Sequence, residues 1–171
     1  MNTDLDHISQ ELLLALFNYD PETGIFTRKL TTGTKAKKGD IAGVLNDNGY
    51  IDISINTRAY RAHRLAWLYC FDELPEEQID HIDNDRTNNR LDNLRLATNL
   101  QNSYNKGVSK LNTTGYKGVS LDKRCNRYRA YISVEGKQKS LGYYSTAEEA
   151  SQAYIDAAKK LHKDFYNENT I

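Results

Sequence analysis

Residues 78–105 read QIDHIDNDRTNNRLDNLRLATNLQNSYN, and this stretch decides the fold. A short strand pattern at Gln78–Ile82 is followed by a polar loop and by a second strand pattern at Asn93–Leu96. Thr98 with Gln101 three residues later forms a capping-box pattern, which predicts that a helix begins there. The predicted order is strand, loop, strand, helix, within an α+β fold.

Asparagine is concentrated in this stretch, because seven of the chain's sixteen asparagines fall between Asn84 and Asn105. The asparagine side chain hydrogen-bonds to irregular backbone, and the residue tolerates left-handed conformations. A loop that were merely solvent-exposed would not need so many of them. We therefore expect the polar loop to be held in one shape.

Asp80 and His81, at the end of the first strand, suit the hydrolysis of a phosphodiester. Such hydrolysis requires a divalent cation on hard oxygen ligands and a base that activates water. Because neighbouring side chains of a strand point differently, Asp80 can ligate the cation while His81 addresses the water. Asn102, twenty-two residues after Asp80 and one turn into the helix, can add its carbonyl oxygen.

The segment from His63 to Asn102 resembles the HNH endonuclease family, specifically its phage and intron-encoded homing-type branch with a ββα-metal fold. The resemblance implies that Asp80 and Asn102 bind one divalent cation, Mg²⁺ or Mn²⁺. It also implies that His81 is the general base and that Asn93 braces the loop so that this base is oriented. The implied activity is a metal-dependent DNA endonuclease, site-specific, of the nicking or homing type.

Charge divides the chain into two modules, although 23 basic and 23 acidic residues give a net charge of zero. Residues 1–105 carry a net charge of −5 and residues 106–171 a net charge of +5. Residues 106–144 alone hold nine basic side chains against two acidic ones, with tyrosines interleaved. This basic patch fits two interpretations, a nucleic-acid-binding surface or a solvated sheet face.

Three strand patterns and a helix pattern follow in this basic part. The strands are predicted at Tyr116–Leu121, Tyr128–Val134 and Gln138–Tyr144. Ser145 and Thr146 begin the helix, and its predicted apolar face consists of Ala147, Ala150, Tyr154, Ala157, Leu161 and Phe165. A three-stranded antiparallel sheet packed on one helix is the expected fold of this module.

This part also resembles a known family, the AP2/ERF DNA-binding domain, through YKGV at 116–119, LGY at 141–143 and TAEEA at 146–150. In that family the three-stranded sheet lies in the DNA major groove and the helix packs behind it. The resemblance implies that basic side chains of the sheet region contact DNA. The positions carried over are Lys117, Arg127, Arg129, Lys137 and Lys139.

The expected organisation is a nuclease module at 1–106 with its ββα-metal core at about 76–106, a linker at 107–114 and an AP2-like domain at 115–168. The sequence has neither an apolar stretch long enough for a membrane helix nor a signal-peptide pattern. We therefore expect an intracellular protein, cytoplasmic or nucleoid-associated, that binds double-stranded DNA as a monomer or a dimer. Two cysteines and four scattered histidines indicate no structural zinc.

The sequence leaves alternatives open for the function and for several residues. A DNA-binding regulator that retains only the shape of a nuclease accounts for the same two modules. Arg86, Arg90 and Arg95 fit contact with phosphate and pairing with a nearby carboxylate equally well. His63 fits a structural role or a place on the DNA side, and His162 is predicted at the surface.

Overall fold

The computed structural model describes residues 8–109 and 111–167, which form two compact units. The boundary runs through the stretch that decides the fold, so neither unit is one continuous piece of chain. Unit 1 contains the described residues up to His81 and the segment Asp85–Leu96, whereas unit 2 contains Ile82–Asn84 and the described residues from Ala97 onward.

The bounds predicted for the two domains and the linker stay a prediction. Residues 1–7 of the first predicted domain, Lys110 of the predicted linker and Glu168 at the end of the second domain lie outside the described residues.

Unit 1 combines two helices with short strands in three sheets. Its elements are α1 (Gln10–Leu16), β1 (Phe17–Asp20), β2 (Ile25–Arg28), β3 (Ile41–Ala42), β4 (Val44–Leu45), β5 (Ile51–Ile55), β6 (Arg58–Arg61), α2 (Ala62–Phe71), β7 (Gln78–His81) and β8 (Leu94–Ala97). The sheets have the orders β1-β2-β3, β4-β5-β6 and β7-β8. Leu13, Phe26, Ile53 and Leu65 are fully buried where α1 and α2 meet the first two sheets.

The predicted strand, loop, strand and helix are all present. A 3₁₀ turn at Leu91–Asn93 leads from the loop into β8, and α3 spans Asn99–Asn105. The capping box is confirmed: Gln101 N donates to Thr98 Oγ1 at 3.2 Å, and Thr98 N donates to Gln101 Oε1 at 2.9 Å.

The turn between β1 and β2 supports the asparagine-rich loop, defined here as residues 85–93. Leu91 N donates to the carbonyl oxygen of Pro21 at 3.0 Å. Gly24 has φ +73°, and a Cβ there would lie 2.5 Å from Arg90 N and from the carbonyl carbon of Asn89. The chain can approach the loop this closely because residue 24 has no side chain.

Unit 2 is built on a three-stranded antiparallel sheet of order β11-β10-β9. Besides α3, its elements are β9 (Val119–Asp122), β10 (Arg127–Val134), β11 (Lys137–Tyr144), α4 (Ala147–His162) and a 3₁₀ turn at Lys163–Phe165. Thr146 caps α4 in a second capping box with Glu149. Ala150, Tyr154 and Ala158 of α4 are buried against the sheet. With the strand, loop, strand and helix described above, this sheet and helix confirm the predicted α+β class and its two modules.

The buried face of α4 differs from the predicted one by about one residue in its second half. Leu161 was predicted on the apolar face but is 40% exposed, whereas His162, predicted at the surface, is 5% exposed. The buried face follows Ala158 rather than Ala157, because the helix turns the 150, 154, 158 and 162 positions toward the sheet. Within the described residues, no helix combines the length and apolar character needed to cross a membrane.

We expect Gly24→Ala to destabilise unit 1 by at least about 2 kcal/mol, because its Cβ would collide with backbone that cannot rotate away and the left-handed φ would be strained. Urea denaturation followed by fluorescence of Trp67, the single tryptophan, measures this change. Gly33→Ala is the control, because nothing among the described residues lies within 4 Å of a Cβ there. Equal stability of the two variants would contradict the expectation.

Candidate active site

Asp80 and His81 lie at the end of β7 and are both buried, with exposures of 6% and 4%. A buried carboxylate requires a charged or hydrogen-bonding partner. Arg95 on β8 is such a partner, since its Nε and Nη2 donate to Oδ2 of Asp80 at 3.0 and 2.8 Å. Of the two interpretations left open for Arg95, pairing with a carboxylate is therefore the one observed.

The His81 ring is oriented by Asn89. Nε2 of His81 lies 3.3 Å from Oδ1 of Asn89, while Nδ2 of Asn89 donates to the carbonyl oxygen of Thr87 at 3.0 Å. The contact with Thr87 fixes which end of the amide faces the imidazole. Because an amide oxygen only accepts, Nε2 carries the proton in this contact, and Nδ1 is the basic nitrogen of the neutral ring.

The asparagine-rich loop is held by its own side chains. Asn93 is buried, and its Nδ2 donates to the carbonyl oxygen of Asn88 at 2.9 Å, across the loop. The backbone N and the hydroxyl of Thr87 donate to Oδ1 of Asp85 at 2.9 and 2.7 Å. These hydrogen bonds lower the pKa of Asp85. The loop is thus fixed from within, as the asparagine content indicated.

His63, the second residue of α2, packs against His81. The ring centroids are 5.0 Å apart at 84°, and His63 is 8% exposed. Among the residues that the structure describes, no group hydrogen-bonds to its Nδ1. Burial, with smaller contributions from the nearby His81, Arg64 and Arg61, lowers the pKa of His63 to about 3. The His63 ring is therefore neutral at physiological pH.

Asn102, predicted as the second metal ligand, lies on α3 in unit 2. Its backbone N donates to the carbonyl oxygen of Thr98 at 2.9 Å, as expected within a helix. Its role as a ligand stays a prediction, as do the roles of Asp80, His81 and Asn93.

Helix α3 is anchored inside unit 2 by Lys117 and by Tyr104. Lys117 Nζ donates to the carbonyl oxygens of Tyr104, at 2.6 Å, and of Lys106. The Tyr104 ring stacks on His162 with centroids 3.9 Å apart, and its hydroxyl accepts from Glu135 N at 2.9 Å. Burial lowers the pKa of Lys117 to about 8. Lys117 therefore has a structural role at the end of α3, and its contact with DNA stays a prediction.

The other four predicted DNA contacts fall on two faces of the sheet. Directly opposed residues of antiparallel strands share a face. Lys139 opposes the buried Ile132, and Lys137 opposes Val134, so both lysines share the face of the sheet that packs on α4. Arg127 and Arg129 alternate with the buried Ala130 and lie on the opposite face.

A β-bulge in β11 places Tyr143 on the open face of the sheet, opposite Arg129. The register shifts between the Ala130–Gly142 pair and the Tyr131–Ser140 pair, so one extra residue of β11 lies between them. On the open face, Arg129 opposes Tyr143, and its guanidinium lies 5.7 Å from the Tyr131 ring centroid. The arginines thus form a basic and aromatic surface, whereas Lys137 and Lys139 are exposed on the helix side of the sheet.

Asp80 and Asn102, the two predicted ligands, each carry an oxygen donor of the kind that a divalent cation of the magnesium class prefers. A carboxylate from Asp80 and an amide oxygen from Asn102 are hard oxygen ligands. Within residues 8–109 and 111–167, no group of three or more His, Cys, Asp or Glu side chains could hold a metal ion. The predicted pair of one carboxylate and one amide is not such a group.

Sequence reasoning missed Asn89 as the partner of His81 and Lys117 as the anchor of α3. In the sequence, Asn89 is one of several asparagines, and its neighbouring residues do not distinguish it from Asn88. Lys117 was visible as part of a basic patch. The partners of both residues are set by the tertiary fold, which residue types alone do not reveal.

Fold and site together define a nuclease of the strand, loop, strand and helix type, joined to a sheet-and-helix DNA-binding module. The HNH endonuclease family model matches residues 60–104, and the AP2 domain model matches residues 114–163. The chain belongs to the HNH endonuclease family and carries an AP2 domain, and it is a DNA endonuclease.

Two relatives and one solved structure are similar to this chain. Protein 3.8 of Escherichia phage T7 is 36% identical over 109 residues, covering 63% of this chain and 89% of the relative. An uncharacterised HNH endonuclease of Acanthamoeba polyphaga mimivirus is 33% identical over 129 residues, covering 74% and 66%. A structure of the HNH homing endonuclease I-HmuI, on DNA binding and cleavage, covers 90% of this chain and 88% of its own at 20% identity and a TM-score of 0.41.

We expect the stability of unit 1 to fall on acidification because of His63. Its pKa is about 3 in the folded protein and about 6.5 when exposed, so the unfolded chain binds more protons between these values. Each pH unit below 6.5 costs about 1.4 kcal/mol, which amounts to about 2 kcal/mol at pH 5. Urea denaturation at pH 7.5 and pH 5, compared with His63→Phe, measures this contribution. Equal losses in the two proteins would contradict it.

Lys117→Met should loosen the end of α3, because it removes the ammonium that binds the carbonyl oxygens of Tyr104, in the helix, and of Lys106, just after it. A hydrogen bond from a charged donor contributes about 1.5 kcal/mol, so amide hydrogen exchange of residues 102–105 should accelerate about tenfold. Lys160→Met, an exposed lysine of α4, is the control, and Lys117→Arg should restore part of the protection. Unchanged exchange in Lys117→Met would show that the anchor does not stabilise the helix.

Proposed function

We propose that the protein is a metal-dependent, site-specific endonuclease of the nicking or homing type that cuts double-stranded DNA. In this proposal Asp80 and Asn102 hold one divalent cation, Mg²⁺ or Mn²⁺. His81 acts as the general base, and Asn93 keeps the loop in shape. One such site cuts one strand, so a monomer nicks, and a double-strand break needs two protomers or two successive events.

The observation that carries the proposal is the hydrogen bond between His81 and Asn89. A general base must present one basic nitrogen in a fixed direction. With Nε2 protonated against Asn89 Oδ1, the basic atom of the neutral ring is Nδ1. His81 would take a proton from water at Nδ1 and become an imidazolium that still donates from Nε2 to the same amide.

Asp80 and Arg95 set the charge next to this base. When bound, the cation would neutralise negative charge that develops on the phosphate. Arg95 holds Oδ2 of Asp80 with two hydrogen bonds. The arginine thus fixes the carboxylate in one orientation, which a ligand for a hard cation requires.

DNA binding is proposed for Lys117, Arg127, Arg129, Lys137 and Lys139. Arg127 and Arg129 have the stronger support, because they share the open face of the sheet with Tyr131 and Tyr143. Guanidinium groups and aromatic rings are the side chains that contact phosphates and bases. Lys117 has the weakest support, because its ammonium already binds two carbonyl groups.

Nicking of supercoiled plasmid in Mg²⁺ or Mn²⁺ tests the proposed function. We expect nicking by the wild type, none in the presence of a chelator, and a loss of at least about 100-fold in Asp80→Ala and in His81→Ala. Asp92→Ala is the matched control, since it removes an exposed aspartate that pairs with Arg90. Nicking that survives both substitutions would place the active site elsewhere, and an intact plasmid across several metals would favour a DNA-binding regulator.

A further inference from the structure

The three arginines in and after the asparagine-rich loop differ in how their charges are compensated. Arg90 pairs with Asp92 at 2.7 Å and Arg95 with Asp80 at 2.8 Å, so each is balanced by a carboxylate. Arg86, by contrast, forms no ion pair with a carboxylate in the part of the chain that the structure describes. Its charge is therefore available to an anion from outside the protein.

Arg86 is exposed, yet its guanidinium is held in place. Its Nη1 donates to the carbonyl oxygen of Asn48 at 2.8 Å, and its Cζ lies 4.8 Å from the centroid of the Tyr50 ring. A Cβ on Gly49 would lie 3.9 Å from Cδ of Arg86, so the stem of the side chain passes close over that turn. Asn48 takes one of the five N–H donors of the guanidinium, and the ring supports its plane.

The Tyr50 ring, on which this guanidinium lies, is next to the candidate active site. Its centroid lies 6.0 Å from that of His81 and 5.4 Å from that of His63. Arg61 also lies over Tyr50, at 4.9 Å, and is paired with Asp52 at 2.8 Å. Of the two guanidinium groups on this ring, only that of Arg61 is paired with a carboxylate in the part of the chain that the structure describes.

The unpaired charge of Arg86 stands out against its surroundings, because residues 1–105 carry a net charge of −5. A phosphate approaching an acidic module needs a local positive potential. The side chain best suited to bind it is a planar guanidinium that is already immobilised, because little conformational entropy is then lost on binding.

We propose that Arg86, supported by Tyr50 and Asn48, binds a phosphate of the DNA strand beside the phosphodiester on which His81 acts. This inference rests on the proposed function, since it takes His81 as the place of cleavage. Arg61, oriented by Asp52, adds positive charge on the same ring. The nuclease module thus has a phosphate contact of its own, separate from the basic surface of unit 2.

DNA affinity measured without cleavage tests the contact. Fluorescence anisotropy of a labelled duplex, in chelator and over a range of salt concentrations, is compared for wild type, Arg86→Met and Arg90→Met. We expect Arg86→Met to weaken binding about tenfold and to reduce the salt slope by about one, as loss of one phosphate contact should. Arg90→Met makes the same change in net charge and should keep the slope. Arg86→Lys, which retains the charge, should also keep it.

Two results of these affinity measurements overturn the inference. One is that folded Arg86→Met, checked by the fluorescence of Trp67, binds DNA with the same affinity and salt slope as the wild type. The other is an equal loss in Arg90→Met, which would make the effect one of overall charge. Neither result depends on metal or cleavage, so a wild type that binds DNA through Arg86 but never nicks it would overturn the proposed function and leave the phosphate contact of Arg86 standing.

Methylphosphonate substitution locates the phosphate that Arg86 binds. The duplex used here contains the position at which the wild type nicks. Neutral methylphosphonates replace the phosphates that flank this position, one at a time. We expect one of them to weaken binding of the wild type about tenfold and to leave Arg86→Met unchanged, because the side chain that contacts this phosphate is already missing. An equal loss in both proteins at every flanking phosphate would show that Arg86 contacts none of them.

Discussion

The orientation of His81 depends on the amide of Asn89, and Asn89 depends on contacts with two parts of unit 1. Its side chain connects His81 to the backbone of Thr87, while its carbonyl oxygen accepts from the hydroxyl of Tyr19 at 2.7 Å. Burial raises the pKa of Tyr19, so this hydroxyl stays protonated and remains a donor. The backbone next to Asn89 packs on Gly24. A hairpin near the start of the described chain therefore holds an imidazole that follows it by about sixty residues.

Charges around this imidazole are arranged so that few of them are uncompensated. Asp80 is balanced by Arg95, and His63 avoids a charge altogether because burial lowers its pKa to about 3. Because Arg95 compensates the charge of Asp80, the pair offers a divalent cation little net negative charge. In the proposed function, a bound phosphate would therefore contribute much of the attraction for the cation. Cation and DNA would then bind more strongly together than separately, and Arg86 would hold the strand whose phosphate completes the site.

Local signals explain what could be predicted from the sequence. The order β7, loop, β8 and α3 follows from strand patterns and a capping box that lie within a few residues of one another. The partner of His81 could not be predicted, because Asn88 and Asn89 are the same residue type and only the fold separates them. The buried face of α4 was ambiguous for a similar reason: Ala157 and Ala158 are both small, so apolar periodicity fits either one. The β-bulge in β11, which places Tyr143 opposite Arg129, leaves no local signal in the sequence.

Helix α3 changes how the two modules of such a nuclease can be separated. A basic sheet on a flexible tether could be removed without disturbing the nuclease, since only DNA affinity would be lost. Here the helix that carries Asn102 belongs to the unit of the sheet, where Lys117 binds its last carbonyl groups and Tyr104 stacks on His162. Truncation after residue 106 would remove Lys117 and His162 and would leave α3 without these contacts. A helix of seven residues is unstable by itself. Loss of cleavage in a truncated protein would therefore not separate a defect in DNA binding from a displacement of Asn102, the proposed metal ligand. Single substitutions on the open face of the sheet would separate the two.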